Sequence, residues 1–194
     1  MKKIVVNTLA AVFLLAVSAA PAMGTGGAAD RAPSAGKAPF DRAFIDSMVP
    51  HHRSAIQMAK IAKAEGLSNP ELVKIANDIL RTQSAEIAKM LRWRKAWYGS
   101  ARLDPRGPEE LGVPLHQQGM HGDPGALRKA KDIDKAFAAM MIPHHEGAVT
   151  MSKLALKRGT HAELKQLVRQ IIAAQNREIK VLRKHAGGGH GGGH

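Results

Sequence analysis

The sequence predicts an all-α chain, a four-helix bundle built from two duplicated helical hairpins. Across its 194 residues no stretch alternates apolar and polar residues with a two-residue period over the length of a strand. Apolar residues recur instead at spacings of four and three, as on one face of a helix. The pattern is also doubled. Phe44-Ile45-Asp46-Ser47-Met48-Val49-Pro50-His51-His52 is echoed 93 residues later by Phe137-Ala138-Ala139-Met140-Met141-Ile142-Pro143-His144-His145, and each string goes on to a second methionine, Met58 or Met151.

Residues 1–22 read as a secretory signal peptide. Lys2 and Lys3 precede an apolar run from Ile4 to Val17, and small residues ending in Ala20-Pro21-Ala22 offer a cleavage site. The run is shorter than the roughly 20 residues that span a bilayer. Cleavage and export to the periplasm or beyond are therefore expected, with no stable membrane span. Residues 23–39, rich in Gly, Ala, Pro and Ser, read as a flexible tether.

The bundle is expected over residues 40–184, as halves 40–98 and 133–184 joined by a connection, 99–132. In the first helix Phe44, Met48, His51, Ala55, Met58 and Ala62 form one seam with a 4-3-4-3 spacing, and Gly66 to Pro70 break it. The second helix is expected from about Glu71 to Lys95, with Ser68 or Asn69 as N-cap and Pro70 at its first position. Its seam, Leu72, Ala76, Ile79, Gln83, Glu86 and Met90, holds two polar residues. Buried without partners these would cost a few kcal/mol, so they require partners across the bundle. Breakers such as Leu103-Asp104-Pro105 and Val113-Pro114 mark the connection.

The third helix repeats the first through Phe137, Met141, His144, Ala148, Met151 and Ala155. The fourth repeats the second, offset by 92, through Leu164, Val168, Ile171, Gln175, Glu178 and Leu182. In antiparallel hairpins His51 falls level with Glu86, and His144 with Gln175 to Glu178. Pro50 and Pro143 lie inside these patterns, where each removes one helical hydrogen bond. A kink is expected there, or else a short helix that ends near Met48 and Met141 with the main helix starting at the proline. Residues 185–194 read as a Gly/His-rich tail, a metal-capture arm by composition.

The chain is cysteine-free, so neither disulfides nor thiolate sites are available. Its formal charge is +13, and +11 without Lys2 and Lys3, but the basic residues are scattered among acids. With few aromatic residues to stack bases, nucleic-acid binding is not expected. Phosphate loops, dinucleotide fingerprints and Gly-x-Ser-x-Gly are absent, so kinase, dehydrogenase and hydrolase chemistry have no support. The Glu-x-x-His spacing of di-iron carboxylate bundles is absent as well.

What remains is the doubled Met/His face. Thioether and imidazole without thiolate favour copper, Cu(I) through methionine and Cu(II) through histidine, with zinc through His and Glu the next candidate. The candidate ligands are Met48, His51, His52 and Met58 with Glu86, and Met141, His144, His145 and Met151 with Glu178. Glu86 and Glu178 serve either as ligands or as groups that orient an imidazole through its other nitrogen. His51 and His52, about 100° apart around the helix, are not expected to chelate one ion together. Met90 and Met140 read as core filler, His161 as a surface residue. His116 and Met120-His121 form a further cluster in the connection. The competing reading is a polar core network of His, Gln and Glu that sets helix pairing.

At these residues the chain resembles the bacterial family called domain of unknown function 305, whose members carry a Met-x-Pro-His-His motif followed by a Met-Ala-type segment. The resemblance runs from Phe40 to about Leu182. It implies a ferritin-like four-helix bundle and, by similarity to exported copper-binding members, a role in copper tolerance. Carried over, it implicates Met48, His51, His52, Met58, Met141, His144, His145 and Met151, with a metal ion and other copper-handling proteins as partners and an oligomer left open. The second element differs between the halves, Ser-Ala-Ile-Gln-Met against Gly-Ala-Val-Thr-Met, at positions between the ligand types.

Overall fold

A computed structural model describes residues 39–187. The expected signal peptide, the expected tether up to residue 38 and the expected tail from residue 188 lie outside the described residues. Four long helices carry the fold: α1 (Phe40–Ala64), α2 (Pro70–Tyr98), α4 (Ile133–Arg158) and α5 (Ala162–His185). A short α3 (Gly107–Glu110) and two 3-10 turns, Leu115–Gln117 and Pro124–Lys129, punctuate the connection. No strand occurs among the described residues.

The predicted start of α2 is met in detail. Asn69 caps it, its side-chain oxygen accepting from the Glu71 and Leu72 backbone N–H groups at 3.0 and 3.4 Å, with Pro70 at the first helical position. Pro70 sacrifices no bond there, because the first helical N–H groups have no intrahelical acceptor. Both Pro50 and Pro143 lie inside unbroken helices. A helix restarting at each proline is therefore not what the chain adopts.

α1 pairs with α2, and α4 with α5, as two antiparallel hairpins that meet mainly along α1 and α4. The direction of that meeting follows from its end. The Arg158 guanidinium lies 4.8 Å above the Phe40 ring, and the Asp41 carboxylate accepts from Thr160 N–H at 3.0 Å and from the Thr160 hydroxyl at 2.7 Å. The start of α1 thus meets the end of α4, and the two run antiparallel.

Two apolar clusters form the core. One gathers Met48, Met90, Met151, Phe44, Ala148 and Ile171; the other gathers Met58, Met141, Phe137, Leu72, Ile79 and Leu182. The buried histidines of both repeats lie on α1 and α4 at the level where His51 meets His144. A buried ion pair ties the first hairpin together: Arg94 donates to Asp46 through Nε at 2.7 Å and Nη2 at 3.2 Å. Its fork-like geometry satisfies both carboxylate oxygens at once.

Candidate metal centre

Each proline-histidine-histidine run lies at the α1–α4 crossing, and the 100° step between neighbouring helical residues divides each pair between two tasks. His51 and His144 turn toward one another. Their ring centroids are 3.8 Å apart and their planes are inclined by 36°. Both are buried, at 1% and 2% exposure. His52 and His145, fully buried, turn instead toward the partner helix of their own hairpin. His52 Nε2 donates to Glu86 Oε2 at 2.8 Å, and His145 Nε2 donates to Glu178 Oε2 at 2.6 Å.

Glu86 thus pairs with His52 and Glu178 with His145, each the neighbour of the histidine counted level with it. His51 has a different partner. Its Nε2 donates to the backbone carbonyl of Gln118 at 2.9 Å. Carbonyls and carboxylates only accept, so Nε2 carries the hydrogen in His51, His52 and His145. The Nδ1 atoms of these three rings are buried without a hydrogen-bond partner among the described residues, as are both nitrogens of His144.

Burial drives the His51 imidazolium down to about pKa 3, with the neighbouring His52 and His145 adding repulsion. His144 is likewise held well below the ordinary value, first by burial and then by His51 and His145. At neutral pH both rings of the central pair are therefore uncharged, the form in which imidazole donates a lone pair to a metal.

The antiparallel crossing also sorts the methionines. Met48, three residues before its histidine on α1, shares a cluster with Met151, seven residues after its histidine on α4. Met58 and Met141 share the other cluster by the same rule. All four are buried. The central histidine pair thus lies between two buried methionine pairs, one toward each end of the bundle. Among the described residues no three His, Asp or Glu side chains gather closely enough to hold one ion. Glu86 and Glu178 each engage a histidine, the arrangement in which a carboxylate orients an imidazole. The donor types that remain in the repeated motif are thioethers and the Nδ1 atoms of His52 and His145. Unpartnered neutral imidazole nitrogens between thioethers suit a soft metal ion.

A family model described as "Domain of unknown function (DUF305)" matches residues 41–186. The chain belongs to this family. Among solved structures it is similar to CopM in the Cu(I)-bound form, at 35% identity and a TM-score of 0.61, covering 74% of this chain and 93% of that one. CopM in the Cu(II)-bound form is similar at 35% identity and a TM-score of 0.62, covering 75% and 95%. A candidate secreted DUF305 protein from Streptomyces coelicolor aligns at 26% identity and a TM-score of 0.66, covering 74% and 89%. A curated relative, uncharacterized protein L153 of Acanthamoeba polyphaga mimivirus, is 46% identical over 49 residues, 25% of this chain. The match spans 32% of the viral protein's length.

Two residues of this DUF305 chain that shape the centre carry no metal-ligand signal in the sequence. Gln118 is buried, its amide donating to the Pro108 and Val113 carbonyls at 2.8 Å each, and this fixes the carbonyl that meets His51. Gly147 makes room for that segment: a Cβ there would lie 2.1 Å from the Gln118 oxygen. Ser54 holds the corresponding place in the first repeat. The Ser/Gly difference between the halves was therefore a readable sign that the connection seats on α4.

Two histidines outside the centre have side-chain partners. His161 lies at the surface as expected, its side chain 32% exposed, with its ring stacked on Trp97 at 3.6 Å and its Nδ1 2.5 Å from Asp41 Oδ2. His185 ends α5 instead of belonging to the tail, and its Nε2 donates to Glu71 at 2.8 Å. Among the described residues no helix is long and apolar enough to cross a membrane.

Proposed function

We propose that this DUF305 protein is exported and binds copper, Cu(I) or Cu(II), between α1 and α4, buffering or delivering it in the periplasm or outside the cell. The observation that carries the reading is the His51–His144 pair: two buried, uncharged imidazoles with ring centroids 3.8 Å apart, three of whose nitrogens have no partner among the described residues. Met48, Met58, Met141 and Met151 would supply soft sulfur donors. His52 with Glu86 and His145 with Glu178 would brace the layer or provide further nitrogen donors. The signal-peptide pattern supports export, and the similarity to CopM, solved with copper bound, supports the choice of metal. Zinc fits less well, because the donors flanking the central pair are thioethers and not carboxylates. Other copper-handling proteins would be the natural donors and acceptors of the ion.

Titration of the mature protein with Cu(I) and Cu(II), beside the H51A/H144A double variant, tests the assignment. The unaltered protein is expected to bind tightly, and the variant to lose the equivalent held by the central pair. Equal affinity in the two proteins would refute it.

The second reading, a non-metal bundle whose polar layer specifies helix pairing, is favoured by the bonds from His52 to Glu86 and from His145 to Glu178, which join helices within each hairpin. Under it, substitution of His51 and His144 alters stability while copper leaves the melting temperature unmoved.

A further inference from the structure

The connection contains one pair of soft ligand types outside the repeat, Met120-His121, and the fold brings it to a cleft that reaches His144 of the central pair. The cleft holds about 230 Å³. Three thioethers and two imidazoles line it: Met58, Met120, Met140, His121 and His144. At its outer side Met120 is 45% exposed, and at its inner side His144 is 2% exposed. Neither nitrogen of that inner imidazole has a partner among the described residues.

Local geometry explains why these groups meet. Gly119, at φ +74°, lets the segment press against α4, where a Cβ would lie 2.3 Å from the Pro143 carbonyl oxygen. Gly122 leaves room for the neighbouring thioether, since a Cβ there would lie 2.9 Å from Met140 Cε. Met120-His121 is thus held between two glycines that each accommodate α4. The remaining lining is Ser54, Ala139, Pro143 and the two glycines, with no acid, lysine or arginine. Hard divalent cations would find no carboxylate there, whereas a soft monovalent ion would meet thioether sulfur.

We propose that this cleft is a second, surface site for Cu(I), formed by Met120, Met140, Met58 and His121, and that it passes the ion inward to His144. This rests on the copper reading of the central pair. The site occurs once per chain, because the repeat does not reproduce it: Ser47 stands in the first half where Met140 stands in the second, and Ser54 where Gly147 admits the connection. His144 both lines the cleft and belongs to the central pair, so the two sites share a wall.

The test uses the mature chain and Cu(I) supplied anaerobically as its bicinchoninate complex, with loss of the complex's absorbance reporting both the amount and the rate of uptake. Two variants are compared, M120L/M140L, which removes two sulfurs at nearly constant volume, and H51A/H144A. Circular dichroism verifies that each remains helical. M120L/M140L is expected to lose one Cu(I) equivalent and to load the central site more slowly by about tenfold or more, the lower end of what losing a supporting metal group does. H51A/H144A is expected to keep the cleft equivalent. Uptake by M120L/M140L equal to that of the unaltered protein in amount and rate overturns the cleft site. If H51A/H144A alone loses copper, the central reading survives that failure. If M120L/M140L alone loses it, the central reading fails and the cleft site stands. Unchanged uptake by both variants removes both.

Discussion

His51 and His144 occupy equivalent places in the two repeats and face one another at 3.8 Å, yet their hydrogen bonding is unequal. His51 donates to the Gln118 carbonyl at 2.9 Å, whereas both nitrogens of His144 lack a partner among the described residues. A twofold sequence motif is therefore read out asymmetrically, because a single connection packs against both α1 and α4 and offers the Gln118 carbonyl to His51 alone.

The asymmetry predicts opposite stability effects for one substitution at two equivalent positions. In metal-free protein, His144→Leu removes an unpartnered buried polar ring and should be neutral or stabilise by about 1–2 kcal/mol. His51→Leu instead strands the Gln118 carbonyl and should destabilise by about 1–3 kcal/mol. Urea denaturation with a chelator present measures both. Equal losses at the two sites would contradict the assigned bonding.

Acid should unfold the protein in two windows. The central imidazoles have folded pKa values below the unfolded value of about 6.5: His51 stands at about 3, and His144 is lowered as well. Below pH ~6.5 the unfolded chain therefore binds more protons, and stability falls with pH by about 1.4 kcal/mol per unit for each such ring. Asp41 acts later. Burial opposes its ionisation, but hydrogen bonds from His161 and Thr160 outweigh that and hold its pKa below 3.8, so its contribution is lost as pH falls beneath that value. Denaturation midpoints at pH 7, 5.5 and 4.5 should fall steadily in the unaltered protein and much less in H51L/H144L. A parallel decline in both would assign the upper window to other groups.

The helices and the histidine layer were legible because local rules governed them. Seam spacing marked α1 and α4, and Asn69-Pro70 marked the start of α2. Doubling of Met48/His51/Met58 by Met141/His144/Met151 identified the level where they meet. Antiparallel hairpin counting came within one residue of the His52–Glu86 partner, and the miss reflects side-chain azimuth, which a level count ignores. The Gln118 carbonyl was not legible, because any residue presents a backbone oxygen and only the seating of the connection singles this one out. Arg94 escaped for a related reason. A charged residue near a helix end normally reads as solvated, and its burial follows from the long-range approach of Asp46.

Gly147 should tolerate no side chain. A Cβ at that position would lie 2.1 Å from the Gln118 oxygen and 2.6 Å from the Gly119 backbone nitrogen, and both obstacles are backbone. Gly147→Ala adds helix propensity of about 1 kcal/mol, yet it forces the connection off α4. The expected net effect is a loss of about 1–3 kcal/mol, the range for overpacking a fitted interior. Limited proteolysis should then cut the 107–122 segment faster. Ser54→Ala, at the equivalent place in α1, should leave that segment as resistant as before, which separates seating of the connection from a general loss of stability.

The Asp46–Arg94 pair should behave as a buried ion pair whose two halves depend on one another. The Asp46 side chain is fully buried and that of Arg94 is 6% exposed, with a second contact from Arg42 Nε to Asp46 at 3.6 Å. Arg94 also donates to the Ser100 carbonyl at 2.8 Å, so it fastens the start of the connection to α1 as well as to α2. Arg94→Met keeps much of the volume but leaves a buried carboxylate with only the partly exposed Arg42 as counter-charge, and should destabilise by about 3–5 kcal/mol. Asp46→Asn retains an acceptor for Arg94 while removing the charge, and should also destabilise. The double variant D46L/R94M should recover much of either loss, since neither charge then remains to be desolvated. Thermal denaturation of D46L, R94M and D46L/R94M beside the unaltered protein closes a double-mutant cycle. Additive losses in the double variant would show that the two side chains act independently, which their 2.7 Å contact does not permit.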